Sequence, residues 1–188
     1  ISSAASLGIS ATDLATVISY ETGGTFDPRK KGPTTQWGQH RGLIQFGEPQ
    51  ARQYGANFST EQTALDSQLG PNGAVVKYLR GAGVRSGMGR LEVYSAINAG
   101  GVGEKYYGRT DANNGGAAGT VRDKVNNQMA GHEVNANRLL KGAGESTFIE
   151  QKVYIAKKAG TSGTDGGPRT SNLTDGTVLW EIAPDSVQ

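Results

Sequence analysis

The sequence predicts a mainly α-helical protein of the α+β class, in which a small β module follows a helical domain. Over residues 1–142, apolar side chains recur at intervals of three and four residues between residue types that begin and end helices. Over residues 143–188, apolar residues alternate with polar ones around glycine-rich loops, a pattern typical of short strands. We therefore expect a helical domain over 1–142 and a small module for attachment or assembly over 143–188.

The first clearly marked helix begins after Ser10, which has Asp13 three positions further on and so resembles a capping box. Apolar residues follow at helical spacing as far as Glu21, and Gly23 ends the helix. Capping residues and glycines indicate further helices in the same way. These run from Glu48 to Gly55, from Ser59 to Gly70, through Val75 and Leu79, from Leu91 to Asn98, and from Thr120 through Val121, Val125 and Met129 towards Leu140.

The last quarter of the chain has a different pattern. Segments 153–155 (VYI) and 178–182 (VLWEI) place apolar residues at every second position, which predicts strands. The segment 160–168 (GTSGTDGGP) between them is expected to be a loop. A β module this small depends on neighbouring structure for its stability.

Composition excludes several classes of function. The chain has no cysteine, which excludes thiol catalysis, disulfide scaffolds and zinc–thiolate sites. With only two histidines, His40 and His132, a metal site or a serine–histidine triad has little support, and no cofactor is expected. A net charge of +2 without a lysine or arginine run argues against nucleic acid as a partner. The chain starts at Ile1 without a signal peptide, so we expect a processed product or a piece of a longer polypeptide.

Glu21 is the candidate for chemistry because it is a carboxylic acid at an apolar position. It follows Leu14 by seven residues, almost two helical turns, so both side chains lie on the same face of the helix. Loss of water on that face disfavours the carboxylate and raises its pKa, as a general acid requires near neutral pH. The alternative is an exposed glutamate at a helix end that bonds a nearby loop.

Three segments, in the order in which they occur, resemble the motifs of the soluble lytic transglycosylases. Segment 21–28 (ETGGTFDP) is similar to the motif in which a catalytic glutamate precedes a hydroxyl residue, an aromatic residue and a proline. Segment 41–46 (RGLIQF) resembles the Gly-Leu-apolar-Gln motif that lines the cleft beside the acid. Segment 95–100 (SAINAG) is similar to the Ala-Tyr-Asn-Ala-Gly motif. The resemblance implies a lysozyme-like fold of the goose type.

The same resemblance implies the reaction and the residues that take part in it. The substrate is peptidoglycan, and the bond between N-acetylmuramic acid and N-acetylglucosamine is cleaved to leave a 1,6-anhydromuramoyl end. Glu21 acts first as the acid and then as the base, and neither a metal nor a cofactor takes part. The implied substrate-binding residues are Thr22, Gln45, Phe46, Tyr94, Asn98, Ala99 and Tyr107.

Ile97 departs from the family pattern, because the family usually has a tyrosine there that contacts the acid. Tyr94, Tyr106 and Tyr107 are the candidates to replace it, and we expect Tyr107 to do so. If no tyrosine takes this place, the chain is a structural virion component whose lysozyme-like lobe binds glycan without cleaving it.

A second carboxylate leads to another alternative on the same fold. Asp27, Glu48 and Asp66 are the acids expected closest to the cleft, although such residues are more often caps or solvated loop positions. An acid across the sugar from Glu21, with room for a water molecule, makes the chain an inverting muramidase.

The C-terminal segments 153–156 and 175–181 resemble small β modules of bacteriophage tail and fibre proteins. This resemblance implies a virion-associated enzyme that opens the bacterial wall during DNA entry, outside the cytoplasm. The expected partners are glycan strands and other tail proteins, and no stable membrane insertion is expected because no apolar stretch approaches the ~20 residues that cross a bilayer. Trp180 either stacks on a sugar or fills the core of the module.

Overall fold

The computed structural model describes residues 1–111 and 116–143, in which the protein is mainly helical with one two-stranded antiparallel sheet. The prediction of a mainly helical protein is confirmed. The chain divides into two compact units, Ile1–Leu140 and Lys141–Gln188. Apart from residue 143, the predicted β module lies outside the described residues. The elements are α1 (Ser2–Leu7), α2 (Ala11–Glu21), β1 (Lys31–Thr35), β2 (Gly38–Arg41), α3 (Glu48–Tyr54), α4 (Glu61–Gln68), α5 (Ala74–Gly81), α6 (Arg90–Asn98), α7 (Glu104–Tyr107), α8 (Val121–Asn127) and α9 (residues 130–143).

Helix α2 begins and ends where the sequence indicates. The Ser10 hydroxyl accepts the backbone N–H of Asp13 at 3.2 Å and so satisfies one of the free donors at the helix start. At the other end, Gly23 and Gly24 have φ angles of 61° and 83°, in the left-handed region that residues with a side chain rarely adopt. Glu21 is therefore the last residue of α2, next to a sharp change in chain direction.

Other predicted helices are present with small shifts at their ends. Gly55 ends α3 as predicted, with a φ of 82°. Helix α4 begins after Thr60 rather than Ser59, because the Thr60 hydroxyl is the one that caps it. Thr120 and Asp123 form the predicted reciprocal cap at the start of α8.

The last predicted helix is divided into α8 and α9. Helix α8 ends at Asn127, and the chain turns before residues 130–143 become helical again. Met129 in this turn is fully buried, so the turn is held against the core. The side chain of Gln128 accepts a hydrogen bond from the Tyr20 hydroxyl at 2.9 Å, which ties the same turn to α2.

Helices α1 and α7 and the β1–β2 hairpin have no counterpart in the sequence prediction. The two helices are only six and four residues long, too short for a periodic apolar pattern. The strands (KGPTT and GQHR) show no apolar alternation, and none of their residues is buried. Thr34 pairs with Gln39 and Thr35 with Gly38, which leaves a two-residue turn at the hairpin tip.

The hydrophobic core lies where α6 packs against α2 and α8, and where α5 packs against α1 and α3. Burial of these apolar side chains is the main stabilising contribution, at roughly 25 cal/mol per Å². No helix in the described part of the chain is long and apolar enough to cross a membrane. Core side chains with no exposed surface include Val17, Val75, Val76, Leu79, Val93, Val121 and Met129.

Candidate active site

A cavity of about 910 Å³ lies at the C-terminal end of α2, with the β1–β2 hairpin as one of its walls. The C-terminal end of α6 contributes to the lining as well. All three segments that carry the family resemblance therefore supply residues to one cavity. Its lining residues are Glu21, residues 30–37, His40, residues 44–46, Gln50, Tyr78, residues 97–100, Asp111 and Gly116.

Glu21 lines this cavity and is only partly exposed. Burial raises its pKa from 4.5 to about 8, and the negative charge of Asp111 contributes in the same direction. The positive charge of Lys124 acts in the opposite direction but does not outweigh them. Glu21 is therefore mostly protonated at neutral pH, in agreement with the prediction from its apolar position.

Asp111 supplies a second carboxyl group to the cavity, and its surroundings favour the charged form. Burial disfavours the carboxylate, but hydrogen bonds from Lys124 and Asn98 outweigh burial, and the pKa of Asp111 is lowered. Lys124 Nζ donates to Oδ1, and Asn98 Nδ2 donates to Oδ2 at 2.9 Å. A neutral carboxyl group and an ionised one thus share the cavity, the arrangement that separates acid and base roles.

Three tyrosines, Tyr20, Tyr78 and Tyr94, lie close enough to Glu21 for its charge to raise their pKa values, in addition to the effect of burial. The rings of Tyr20 and Tyr94 meet edge to face with centroids 5.5 Å apart, and Tyr94 is almost fully buried. Tyr78 lines the cavity and donates its hydroxyl hydrogen bond to the carbonyl of Ala96 at 2.7 Å. Burial raises the pKa of Tyr78 to about 12, with a further contribution from Glu21, so its hydroxyl stays neutral.

Tyr107 does not occupy the place expected of it beside the acid. Its ring packs against the Arg122 guanidinium, 5.4 Å from ring centroid to Cζ. Burial raises the pKa of Tyr107, and the next contribution comes from Glu92 rather than from Glu21. Helix α7 carries Tyr107 to this position, and this short helix has no signal in the sequence. Tyr94 is the predicted tyrosine whose pKa is raised by Glu21, after burial.

Gln45 packs against Gly32 of the hairpin, and its backbone has a positive φ, which is rare for a residue other than glycine. Its φ is 58°, and its Nε2 donates to the carbonyls of Lys30 and Gly42, both at 3.0 Å. Gly32 on β1 leaves room for this side chain, because a Cβ there would collide with Oε1 of Gln45. Two hydrogen bonds and close packing against Gly32 therefore hold the side-chain amide of Gln45, which lines the cavity.

Thr22 is completely buried and therefore does not contact a ligand directly, contrary to the prediction for this residue. Its hydroxyl donates to the carbonyl of Ile18 at 2.8 Å and accepts the backbone N–H of Phe26 at 3.0 Å. Thr22 instead shapes the turn that follows Glu21. Phe26 in this turn has a φ of 52°, the same unusual region as Gln45.

Of the other predicted ligand-binding residues, Phe46, Asn98 and Ala99 line the cavity, whereas Tyr94 is 1% exposed and is not one of the lining residues. Phe46 is 1% exposed and lies on the apolar side of the cavity, in edge-to-face contact with Tyr78. Asn98 and Ala99 lie at the C-terminal end of α6, and the side-chain amide of Asn98 donates a hydrogen bond that orients Asp111. Ile97, at the position of the expected tyrosine, lines the cavity too.

The acids predicted near the cleft have other roles in the structure. Asp27 Oδ1 accepts the backbone N–H of Arg29 at 2.8 Å, and Asp66 accepts the side-chain amide of Gln62 at 2.8 Å. Glu48 begins α3 beside the hairpin. These are caps and surface contacts, and Asp111 is the acid that joins Glu21 in the cavity.

The sequence predicts a cleft wall for the stretch that begins at Asp111 but no chemical role for Asp111, and it predicts no site role for Lys124, Tyr78 or Trp37. The sequence does indicate that Lys124 is buried, because it lies three residues after Val121 and so on the apolar face of the predicted helix. Lys124 is 1% exposed, and a buried lysine indicates a paired charge. Asp111 and Tyr78 reach the cavity through the tertiary fold, which no local pattern reports.

The described part of the chain contains no group of three histidine, cysteine or acidic residues placed to hold a metal ion. Comparisons of the chain with protein-family models, with curated proteins and with solved structures found no match.

Proposed function

We propose that this protein is a peptidoglycan lytic transglycosylase with a lysozyme-like fold of the goose type. It cleaves the β-1,4 bond between N-acetylmuramic acid and N-acetylglucosamine. The observation that carries the proposal is the state of Glu21, a carboxylic acid whose pKa is held at about 8 in a cavity of about 910 Å³. A proton on Glu21 at neutral pH is what protonation of a glycosidic oxygen requires.

In the first step, Glu21 donates its proton to the glycosidic oxygen as the bond from this oxygen to the anomeric carbon breaks. Positive charge then develops on the anomeric carbon and the ring oxygen of the muramoyl residue. The ionised carboxylate of Asp111, held by Lys124 and Asn98, provides negative potential in the same cavity. That fixed charge favours the transition state over the neutral substrate.

In the second step, the muramoyl 6-hydroxyl attacks the anomeric carbon, and the Glu21 carboxylate accepts its proton. The ring closes to a 1,6-anhydro end, and Glu21 returns to its protonated form. No water and no protein nucleophile is consumed. Gln45 and Asn98 line the cavity and hold the sugar, and the buried Phe46 forms part of the cavity wall. Gln45 is fixed by its two backbone partners.

Hydrolysis is a second candidate, and Asp111 is the observation that favours it. An ionised carboxylate in the cavity of a neutral Glu21 is able to activate a water molecule for attack on the anomeric carbon. The enzyme is then an inverting muramidase, and its products carry reducing ends instead of anhydro ends.

We further propose that the enzyme is part of a bacteriophage particle and opens the bacterial wall from outside the cytoplasm during infection. This part of the proposal rests on the resemblance of the segments beyond residue 150 to tail-protein modules. Other tail proteins are then its partners, and the glycan strand is its substrate.

The test of the function is cleavage of purified peptidoglycan by the wild type, Glu21→Gln and a control variant. Loss of the acid is expected to lower the rate by about 10²–10⁴-fold, because the amide fills the same space without a proton to donate. Glu61→Gln, an exposed substitution in the first turn of α4, is the control and keeps the wild-type rate. Equal rates for Glu21→Gln and the wild type refute the mechanism. Wall binding without cleavage by the wild type indicates a glycan-binding lobe.

A further inference from the structure

Trp37 is a large apolar side chain that lines the cavity and is nevertheless 55% exposed. It lies in the two-residue turn at the tip of the β1–β2 hairpin. An exposed indole on the wall of a cavity leaves apolar surface that a ligand in the cavity is able to cover, with a gain from burial. The flat face of an indole fits the C–H face of a pyranose ring.

The backbone of Trp37 is fixed although its side chain is open. Its carbonyl accepts the N–H of Glu48 at 2.9 Å, and its N–H donates to the Thr35 hydroxyl at 3.1 Å. Gly47 packs against the Trp37 side chain so closely that a Cβ at position 47 would lie 3.0 Å from the Cβ of Trp37. Contact with the start of α3 therefore fixes the backbone and the Cβ of Trp37 before a ligand arrives, which lowers the entropy cost of binding.

Two lysines lie on the same side of the cavity. Lys30 and Lys31 line it, and the Lys30 carbonyl accepts hydrogen bonds from the N–H of Gly42 at 2.9 Å and from Gln45 Nε2 at 3.0 Å. Within residues 1–111 and 116–143, neither lysine takes part in an ion pair.

The acids of the cavity do not neutralise these two lysines. Glu21 is mostly protonated at neutral pH, and Asp111 is already paired with Lys124. Lys30 and Lys31 therefore place two positive charges on the hairpin side of the cavity without an ion-pair partner among the described residues, which favours an anionic ligand there.

We propose that the hairpin forms a binding subsite in which Trp37 stacks on a sugar ring while Lys30 and Lys31 bind a carboxylate of the same glycan strand. This inference rests on the proposed function and specifies its substrate further. The ligand is an N-acetylated sugar chain with a carboxylate on its lactyl group or on an attached peptide. An uncharged chitin oligosaccharide is able to stack on the indole but has no carboxylate for the two lysines to bind.

Binding is measured on the full chain with Glu21→Gln, so that the ligand is not consumed. The chain has two tryptophans, and Trp180→Phe leaves Trp37 as the single fluorescent reporter. Three soluble ligands of equal sugar number separate the sources of charge: a chitin oligosaccharide, a peptide-free glycan with lactyl carboxylates, and a glycan with peptide stems. Saturable change of the Trp37 emission with all three is expected, and no response to any of them overturns the stacking.

Substitutions separate the two halves of the subsite, with calorimetry as the readout in chains that keep Trp180. Trp37→Ala is expected to weaken binding of all three ligands by about tenfold, and Trp37→Phe by less, because a smaller aromatic face remains. Lys30→Met combined with Lys31→Met is expected to weaken only the carboxylate-bearing ligands, by about threefold each, with less effect at high salt.

Lys77→Met, an exposed substitution on α5, is the matched control. An equal loss for the chitin oligosaccharide in the double lysine variant overturns the carboxylate contact. The stem peptide is joined to the lactyl carboxyl as an amide, so the two charged ligands carry different carboxylates. The peptide source is supported if the lysine effect appears only with peptide stems, and the lactyl source if it appears only with the peptide-free glycan. An effect with both charged ligands supports binding of either carboxylate. Absence of cleavage by the wild type leaves these binding results valid, whereas an unresponsive Trp37 in an active enzyme removes the subsite alone.

Discussion

Glu21 and Asp111 carry the same functional group in one cavity, and their neighbours set their protonation states in opposite directions. Burial and the negative charge of Asp111 raise the pKa of Glu21 to about 8, whereas Lys124 and Asn98 lower the pKa of Asp111 against the effect of burial. The difference depends on two hydrogen bonds made by Asp111. Residues close to the acid therefore determine the pH range in which it works.

The pH dependence of cleavage tests this arrangement. The general acid is active when protonated, so kcat/KM is expected to fall as pH rises through about 8, the pKa of Glu21. Asp111→Asn removes a negative charge that raises this pKa and leaves Lys124 unpaired, so the alkaline limb moves to lower pH. A pH–rate profile of both proteins checks this, and an unchanged limb in Asp111→Asn contradicts it.

The same pKa makes folding stability depend on pH. Folded Glu21 binds a proton up to about pH 8, whereas the unfolded chain releases it near 4.5, so this stabilising contribution is complete below 4.5 and is lost as pH rises through 8. Glu21→Gln does not titrate. Its free energy of unfolding relative to the wild type is therefore expected to increase between these pH values, by a total on the order of 3–5 kcal/mol. Urea unfolding at several pH values measures this difference, and a constant difference refutes the raised pKa.

At the scale of elements, the turn after α2 determines where Glu21 lies. Thr22 joins the end of the helix to Phe26 through one buried hydroxyl. Thr22→Val keeps the shape but leaves the Phe26 N–H without this partner, so a loss of about 1–3 kcal/mol in the free energy of unfolding is expected.

Thr22→Ser keeps the hydroxyl and is the control for the turn. It is expected to lose less stability and to retain more cleavage activity than Thr22→Val. Chemical denaturation and a peptidoglycan assay check both quantities. Equal behaviour of the valine and serine variants would show that the hydroxyl does not hold the turn.

Elements with a local chemical signal were predicted from the sequence, and the others were not. Ser10 and Thr120 mark helix starts because a side chain beside the helix satisfies free N–H groups, a short-range effect. The hairpin has no such mark, since its strands lie on the surface and its stability comes from contact with α3 and with Gln45. Sequence patterns report burial and caps, and this hairpin depends on neither.

In the candidate site too, the sequence predicts the residue with a local signal and not the one that depends on the tertiary fold. Glu21 was predicted from its apolar position together with a motif resemblance, both readable along the chain. Asp111 reaches the cavity only because Lys124 on α8 and Asn98 on α6 hold it there, and these residues are brought together by helix packing. The sequence gives no sign of α7, the short helix on which Tyr107 lies. It therefore does not show that Tyr94, rather than Tyr107, is the tyrosine whose pKa is raised by Glu21.

At the scale of the whole molecule, the unit Ile1–Leu140 contains both the core and the cavity. A fragment of residues 1–143, which keeps the described part of α9, is therefore expected to fold cooperatively and to cleave peptidoglycan in solution. Its melting temperature is expected to be close to that of the full chain. Circular dichroism and a cleavage assay test this, and an unfolded fragment would show that residues 144–188 contribute to the fold of the first unit.

Mass spectrometry of the products released from purified peptidoglycan tests the transglycosylase reaction and the role of Glu21 together. We expect fragments with 1,6-anhydromuramoyl ends from the wild type and none from Glu21→Gln. Fragments with reducing ends would contradict the transglycosylase reaction and assign Asp111 the activation of water. Anhydro ends released equally by Glu21→Gln would contradict the role of Glu21 itself.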